Sequence, residues 1–193
     1  MPTTKRERKE QTHEAILQSA LGLLRTQGIR ASSVMDVMQG AGLTVGGFYG
    51  HFESKAHLFT EVLQRPSGTL WNRLLERASR GTPAERMKGV LGVYLSRAHR
   101  DTPDEGCILP SAAAEVAREG EPYRSALEKK LQGFVAGLEG VLGGASAANR
   151  QRAVATLALM VGALTLSRAV AGTALSDEFL KAARAMGENG LER

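Results

Sequence analysis

The sequence predicts an all-α fold in which a small N-terminal helix-turn-helix domain precedes a larger helical domain. Apolar residues recur at spacings of three and four along almost the whole 193-residue chain, as in helices that bury one face. No segment shows the strict alternation of apolar and polar residues that is typical of a half-buried strand. Glycine or proline separates the periodic segments, and these residues commonly start or end helices. We assign residues 1–53 to the first domain and residues 54–193 to the second.

The residues that follow the first predicted helix have the spacing of a helix-turn-helix. Ser33 can accept a hydrogen bond from the free amides of a new helix, which we expect to end just before Gly42. Thr44 is a suitable N-cap for a second short helix, and Phe48 and Phe52 lie four residues apart on the face that would pack inward. A helix, a sharp turn and a second short helix are the layout of a reader of duplex DNA.

The outward face of the second short helix suits a nucleic acid. Lys55 follows at the start of the next helix. The residues of the outward face are Thr44, Val45, Gly46, Gly47, Tyr49 and His51. Hydroxyl, imidazole and ammonium groups donate hydrogen bonds to phosphate oxygens, and a helix N-terminus adds its own amides. Each glycine lowers helix propensity by about 1 kcal/mol relative to alanine. The paired glycines therefore indicate a close approach of the backbone to a sugar-phosphate strand or to a neighbouring helix.

This segment resembles the DNA-binding domain of TetR-family transcriptional repressors. In that family a run of roughly Ala-Gly-Val-Ser-x-Gly-x-Phe-Tyr-x-His-Phe-x-x-Lys-x-x-Leu ends the domain. The matching positions here are Ala41, Gly42, Leu43, Thr44, Gly46, Phe48, Tyr49, His51, Phe52, Lys55 and Leu58. The resemblance implies phosphate contacts from Ser33, Thr44, Tyr49, His51 and Lys55. Val45 and Gly47 replace the more frequent basic and hydroxyl residues, so few side chains remain to contact base edges.

Charge and cysteine content are compatible with a DNA-binding protein that is not exported. The formal net charge is +5 and the isoelectric point is about 9.7, which favours a polyanionic partner without requiring one. Lys5, Arg6, Arg8 and Lys9 precede the first predicted helix and form either an arm on DNA or a solvated tail. A single cysteine excludes an internal disulfide, and the N-terminus lacks an apolar export segment. We expect a cytoplasmic protein.

Further helices follow the helix-turn-helix in quick succession. A kink or break is expected near Pro66, because proline cannot continue a helix, and the alternative is an ordinary loop. A loop is also predicted over residues 101–106. The predicted helices span about 10–27, 33–41, 44–52, 55–64, 70–75, 83–100, 107–117, 121–142, 149–172 and 176–186.

The segment 150–171 is too rich in apolar residues for a helix with a one-sided stripe, so it must be covered on more than one side. Its small residues Ala158, Gly162 and Ala163 allow close packing. We predict that it pairs with the helix near 176–186 and with the copies of both in a second subunit, and the alternative is burial inside one monomer. TetR-like proteins dimerise through a four-helix bundle at this place, and a two-fold symmetric dimer would match a palindromic site.

A ligand pocket in the second domain is implied by the resemblance alone. A small-molecule effector in that pocket would change the spacing of the two recognition helices. Apolar residues at helical spacing belong more often to a core than to a pocket, so both interpretations stay open. The candidate lining residues are Trp71, Leu74, Met87, Leu91, Tyr94, Leu109, Phe134, Leu138 and Met160.

Cys107 is a candidate sensor of oxidants or electrophiles. It follows Gly106 at the predicted start of a helix, where backbone amides would stabilise a thiolate. Asp101, Asp104 and Glu105 oppose this effect, because neighbouring negative charge disfavours the thiolate. A buried, unreactive cysteine is the alternative. A metal site formed by His99, Asp101, Glu105 and Cys107 is also conceivable, although a solvated loop is the simpler interpretation.

The predicted function is that of a homodimeric repressor that a small-molecule effector releases from a palindromic double-stranded DNA operator. The alternatives are a thiol-sensing repressor that uses Cys107, an architectural DNA-binding protein without an effector, and a helical module that keeps the helix-turn-helix for stability. The four histidines lack metal-ligand spacing, and no glycine-rich phosphate loop follows a strand. The sequence therefore does not indicate an enzyme, and we expect no cofactor, metal or membrane partner.

Overall fold

The structure, a computed structural model, describes residues 4–65 and 69–190 of the chain. Within these ranges it contains eleven α-helices, two 3₁₀ helices and no strand, which confirms the predicted all-α class. The 3₁₀ helices are Val45–Gly50, which we call the recognition segment, and Pro103–Glu105. The α-helices are α1 (Lys5–Thr26), α2 (Gly28–Ala31), α3 (Val34–Gly40), α4 (Lys55–Gln64), α5 (Thr69–Arg77), α6 (Pro83–Tyr94), α7 (Arg97–Asp101), α8 (Leu109–Glu119), α9 (Tyr123–Val141), α10 (Ala147–Ala169) and α11 (Ala174–Asn189).

The described chain divides into two compact units. They consist of residues 4–65 with Ser111–Glu128, and of residues 69–110 with residues 129–190. The first unit includes the whole of α4, which packs on α1. His13 Nε2 lies 2.9 Å from Glu61 Oε1, and Arg65 forms an ion pair of 2.6 Å with Glu14. Residue 54, the predicted start of the effector domain, thus lies inside the first unit, and the functional boundary stays a prediction.

The first unit is built around the apolar face of α1. Helices α3 and α4 pack against α1, and the recognition segment packs on α3. The predicted inward pair is confirmed, because Phe48 is 0% and Phe52 is 1% exposed. The fully buried apolar residues of these helices include Ile16, Ala20, Leu24, Val37, Met38, Leu58, Phe59 and Leu63.

The basic N-terminal residues form the first turns of α1, so the prediction that they precede the helix, as an arm or as a tail, is wrong. Helix α1 begins at Lys5 and not near Glu10. The Thr4 hydroxyl accepts a hydrogen bond from the Glu7 amide (3.2 Å), and the Glu7 carboxylate accepts one from the Thr4 amide (2.6 Å). Arg6 and Glu10 add an ion pair one turn apart, at 2.9 Å. These local bonds hold the cluster of like charges in a helix.

The segment predicted as one helix over 83–100 is two helices. Helix α6 ends at Tyr94, and α7 begins after Ser96, whose hydroxyl accepts a hydrogen bond from the His99 amide at 3.1 Å. A serine cap inside a periodic segment therefore begins a new helix. The break predicted near Pro66 lies outside the described residues.

Two shorter elements are absent from the sequence prediction. A 3₁₀ helix at Pro103–Glu105 lies within the loop predicted over 101–106. Helix α2 follows directly on α1, at the place where the first predicted helix ends near residue 27 and no further helix is predicted before residue 33. Gly28 has a φ of +84°, which turns the chain between the two helices and favours glycine. Helices α8 to α11 begin and end within a few residues of their predicted bounds.

The second unit contains α10 and α11 packed as a pair. Helix α11 also packs on α6, α6 on α5, and α10 on α7. Ser167 and Ser176 are fully buried, and each hydroxyl donates to the backbone oxygen of the other residue, at 2.8 and 2.7 Å. The predicted pairing of these helices within the chain is confirmed. Their pairing with a second copy stays a prediction.

Candidate nucleic-acid interface

An aromatic cluster fixes the position of the recognition segment. Phe48 lies within the segment, and its ring centroid is 5.7 Å from that of Phe52. The ring of His13 on α1 stacks on Phe52 at 4.6 Å, and His13 also contacts Glu61 on α4. Gly42 turns the chain out of α3 with a φ of +71°, a conformation that favours glycine. The segment is thus supported by α1, α3 and α4 together.

The recognition segment is a 3₁₀ helix and not the α-helix expected from its spacing. Its hydrogen bonds join residues three apart, from the Gly47 amide to the Thr44 oxygen (3.1 Å) and from the His51 amide to the Phe48 oxygen (2.9 Å). Three of its six residues are glycine, which has a low α-helix propensity. Short 3₁₀ runs are common where a regular α-helix is not sustained.

Five of the predicted contact residues lie together along the exposed part of this segment. Tyr49 is 72% exposed and Val45 is 43% exposed. Thr44 precedes the segment as its N-cap residue, but its hydroxyl makes no capping hydrogen bond. This hydroxyl can therefore donate a hydrogen bond to an oxygen of a bound partner. Gly46 and Gly47 are also exposed. The structure therefore brings these residues to one surface.

Ser33 and Lys55, two further predicted phosphate contacts, already have partners. The Ser33 hydroxyl donates to the Asp36 carboxylate (2.6 Å) and accepts from the Asp36 amide (3.0 Å). These bonds to Ser33 hold the pKa of Asp36 below its usual value, so a negative charge stays beside this hydroxyl. The Lys55 ammonium donates to the Arg30 backbone oxygen at 3.3 Å and lies 5.8 Å from the centre of the Phe59 ring. The Lys55 ammonium has three hydrogen-bond donors and uses one here, whereas the Ser33 hydroxyl is engaged in capping α3.

His51, the last predicted contact, is half-buried beside a second histidine. Its ring centroid is 5.8 Å from that of His13, and its Nδ1 has no hydrogen-bond partner among the described residues. Burial lowers the pKa of His51, and the neighbouring His13 and Lys9 lower it further. The ring is therefore neutral at neutral pH and offers one N–H donor.

Helix α1 places Glu10 and His13, which the sequence analysis did not assign to DNA binding, beside Arg6 and Lys9, which it did. Arg6, Lys9, Glu10 and His13 line a surface concavity of about 260 Å³. Their spacing of three and four places them on one face of α1, which is a signal present in the sequence. That this face adjoins Phe52 is visible only in the folded chain.

Met35 is a second exposed residue that the sequence analysis did not assign. It lies in α3 and is 62% exposed. The apolar residues Val37 and Met38 are fully buried on the inner face of this helix, which leaves Met35 outside. The period of the apolar stripe contains this information.

A carboxylate from α8 holds the start of α2. Glu115 accepts hydrogen bonds from the backbone amides of Ile29 (2.5 Å) and Arg30 (3.4 Å). A Cβ on Gly28 would lie 2.4 Å from a Glu115 carboxylate oxygen, so the carboxylate occupies the space that a side chain at residue 28 would need. Arg30 also accepts the hydrogen bond of Lys55. Glu115 is therefore connected through α2 to α4.

In the second unit, His99 organises the residues around the single thiol. Its Nδ1 donates to the Tyr94 backbone oxygen (2.7 Å), and its Nε2 accepts from the Cys107 amide (3.0 Å). This arrangement requires the neutral ring, and burial lowers the pKa of His99 to about 4. A Cβ on Gly106 would lie 2.9 Å from His99 Nε2 and 2.8 Å from Arg168 Nη2, which explains the glycine before the cysteine.

The Cys107 thiol itself is not activated. Burial raises its pKa, against smaller opposing effects of its neighbours. Among the described residues, no group of three or more His, Cys, Asp or Glu side chains is arranged to hold a metal ion. The nearby Tyr94 hydroxyl is buried with the Cys107 thiol beside it, and burial raises the pKa of Tyr94 well above its usual value.

The candidate ligand-lining residues all belong to the second unit, and those other than Trp71 are buried. The Trp71 ring centroid lies 4.7 Å from that of Phe134, and a Cβ on Gly137 would meet Trp71 at 2.5 Å. The buried members are Leu74, Met87, Leu91, Tyr94, Leu109, Phe134, Leu138 and Met160. Two surface clefts of this unit are lined by other residues. An effector contact at the candidate residues stays a prediction.

Helices α10 and α11 keep large apolar residues on their outer faces. In α10, only 33% of the most apolar 18-residue window is buried, and its mean hydropathy is 1.3. By length and composition alone this helix could cross a membrane, a test that core helices of soluble proteins also pass. The exposed residues are Val154 and Leu166 on α10, at 49% each, and Leu175 (48%) and Met186 (68%) on α11.

Both units contain segments that match a known family. The profile described as bacterial regulatory proteins, tetR family, matches residues 16–62, and the one described as tetracyclin repressor-like, C-terminal domain, matches residues 83–183. The HTH-type transcriptional regulator AcrR of Shigella flexneri is 32% identical over 90 residues, which cover 46% of this chain and 41% of AcrR. The HTH-type transcriptional repressor NemR of Escherichia coli is 25% identical over 127 residues, which cover 65% of this chain and 64% of NemR. The matched part is thus less than two thirds of either relative.

Solved structures share the fold over nearly the whole chain. The reduced form of Escherichia coli NemR gives a TM-score of 0.76 at 25% identity and covers 92% of this chain and 96% of that one. A TetR-family transcriptional regulator from Cytophaga hutchinsonii gives a TM-score of 0.77 at 19% identity and covers 98% of each chain, a likeness of fold alone. Because the C-terminal profile by itself matches more than half of the residues, the chain belongs to the TetR family of bacterial DNA-binding transcriptional regulators.

Proposed function

We propose that this protein is a cytoplasmic, homodimeric repressor that binds a palindromic operator and leaves it when a small-molecule effector binds the C-terminal unit. The observation that carries the proposal is the recognition segment. Its aromatic side is buried against three helices, while Thr44, Val45 and Tyr49 are presented to solvent. The family consists of transcriptional regulators, and NemR, one of the relatives named above, is a repressor.

Phosphate contacts fix the position of the segment on one half-site. Thr44 and Tyr49 supply hydroxyl donors, His51 a neutral imidazole, and Lys55 a charged ammonium. Ser33 joins them only after its capping hydrogen bonds open. The exposed residues Val45, Gly46 and Gly47 of the segment would then face the bases.

The outer faces of α10 and α11 support dimerisation. Val154, Leu166, Leu175 and Met186 are each about half exposed or more, although all are large and apolar. Gly162 lies on the same helix as two of them, and a Cβ there would meet no atom within 4 Å, so a second copy can approach the backbone closely. Pairing of these faces would bury apolar area and place two recognition segments about a two-fold axis.

The effector proposal is supported by the buried Tyr94 hydroxyl. The thiol of Cys107, a weak hydrogen-bonding group, lies beside this hydroxyl, so a ligand with a stronger polar group would satisfy it better. The alternative, a thiol-sensing repressor, needs a thiolate at Cys107, whereas burial raises the pKa of that thiol. The structure therefore favours non-covalent binding of an effector over thiol chemistry.

Helix α8 supplies a route for release. One continuous helix carries Leu109, a candidate effector contact, and Glu115, which holds α2. Lys55 donates a hydrogen bond to the backbone oxygen of Arg30 on α2. Lys55 is also the first residue of α4, the helix that follows the recognition segment. A shift of α8 on effector binding would change the position of these DNA-contact groups.

The double variant Tyr49→Ala with Lys55→Ala tests the DNA contact. The probe is a duplex selected with the purified protein from a randomised pool, and binding is followed by fluorescence anisotropy over a range of salt concentrations. We expect affinity to fall about tenfold or more and the salt slope to decrease by about one, because one cationic phosphate contact is lost. Lys181→Ala, an exposed lysine of α11, is the charge-matched control and should bind as the parent does. Parental affinity and salt slope in the double variant would exclude this interface.

A further inference from the structure

The recognition segment contains glycines that the folded chain itself does not require. The φ angles of Gly46 and Gly50 are outside the left-handed region, and a Cβ on either residue would meet no atom within 4 Å. Gly28 in the same unit is different, because its φ is +84° and a Cβ there would collide with Glu115. Glycine weakens a helix relative to alanine. The folded chain gives no reason for glycine at 46 and 50, as it gives none at Gly22 of α1, but Gly46 and Gly50 lie in the exposed recognition segment, where a partner can give one.

A partner surface that comes close to the backbone supplies this reason. Glycine lets backbone atoms approach a ligand more closely than any other residue. The segment is exposed, and in this family of regulators the macromolecular partner is DNA. A 3₁₀ helix with bare positions is slim enough to enter the major groove deeply.

Val45 then becomes the side chain that reads the bases. We propose that Val45 contacts the 5-methyl group of a thymine in the major groove, and this inference rests on the proposed operator binding. Because Gly46 has no side chain, the protein backbone can approach the DNA closely enough for this contact. Val45 is 43% exposed, and its side chain can neither donate nor accept a hydrogen bond. The thymine methyl is the apolar feature that base pairs present in that groove. The segment discriminates thymine through this contact and not through a hydrogen-bonding side chain.

The methyl contact is tested by removing the methyl group from either side. Each thymine of the duplex selected from the randomised pool is replaced in turn by 2′-deoxyuridine, which lacks only the 5-methyl group. Replacement of the contacted thymine in one half-site weakens binding by the parent protein about fourfold, the effect of exposing one methyl group. Val45→Ala makes binding insensitive to this replacement, because the partner of the methyl group is gone.

The close approach is tested by Gly46→Ala, with Gly22→Ala on α1 as the matched control. Both are helical glycines of the first unit at which a Cβ would meet no atom within 4 Å. Thermal unfolding should show that both variants remain folded. Gly46→Ala weakens binding to the selected duplex about tenfold, because the added methyl group separates protein and DNA, while Gly22→Ala leaves binding unchanged.

The outcomes separate this inference from operator binding itself. A preferred duplex in which no thymine methyl affects affinity, or a deoxyuridine effect that persists in Val45→Ala, overturns the thymine contact and leaves operator binding intact. Unchanged affinity in Gly46→Ala overturns the close approach. If the pool yields no preferred duplex, the proposed function fails, and the contact fails with it.

Discussion

Replacement of Glu115 by alanine is the sharpest test of the connection between α8 and the DNA-binding helices. The carboxylate accepts hydrogen bonds from the Ile29 amide at 2.5 Å and from the Arg30 amide at 3.4 Å. Ile29 is only 2% exposed, whereas Arg30 is exposed. Water can therefore replace the carboxylate at Arg30 but has little access to Ile29.

The expected loss of stability follows from this difference. A buried amide left without an acceptor costs about 1–3 kcal/mol, while the long bond at the exposed Arg30 adds little. We expect Glu115→Ala to lower the free energy of unfolding by about 2 kcal/mol. For a chain of this length that corresponds to a fall in Tm of about 4–8 °C.

Thermal unfolding monitored by circular dichroism measures the loss. Glu119→Ala removes an exposed carboxylate from the same helix and should change stability by no more than about 0.5 kcal/mol. Glu115→Gln keeps an acceptor oxygen and should recover part of the loss. An equal Tm for Glu115→Ala and Glu119→Ala would refute the assignment of Glu115 as the acceptor that holds α2.

Three further predictions concern the second unit. Leu166→Lys combined with Met186→Lys should convert the dimer to a folded monomer in analytical ultracentrifugation and abolish binding to the selected duplex; a persisting dimer would place the interface elsewhere. His99 is neutral in the folded state with a pKa of about 4, against an ordinary value of 6.5, so the unfolded state binds more protons between these pH values. Stability should be complete above pH 6.5 and fall by up to about 3 kcal/mol toward pH 4, and urea titrations should show a flatter profile for His99→Gln. Iodoacetamide should leave duplex binding by the parent unchanged, as in Cys107→Ser, because the thiol is not activated; a loss of duplex binding by the parent that Cys107→Ser prevents would favour the thiol-sensing alternative.

Local signals in the sequence predict most of the helices. The Ser33 cap, with Asp36 three residues later, correctly places the start of α3, and Thr82 with Pro83 places the start of α6. The same kind of signal at Thr4 is present in α1 but is hidden by a dense cluster of positive charge. Caps and apolar period act within one or two turns, so they can be recognised without the tertiary structure.

The contacts that support the interface cannot be predicted in this way. His13 meets Glu61 across 48 positions in the chain, and Glu115 meets Ile29 across 86. No short-range pattern relates residues so far apart. The aromatic pair Phe48 and Phe52 is predictable as an inward face because its spacing is local, but the ring that stacks on it comes from α1.

The short side chains of the recognition segment would make DNA binding sensitive to small displacements of that segment. Long basic side chains can follow DNA by changing rotamer, whereas the branched Val45 and the backbone at Gly46 cannot extend. A gap of 0.5–1 Å removes roughly a quarter to a half of a dispersion contact. The connection from Glu115 through Arg30 to Lys55 ends at the helix that follows this segment. A small displacement transmitted along this connection would therefore weaken both the proposed base contact and the proposed phosphate contacts, so the proposed release would need no large rearrangement of the DNA-binding helices.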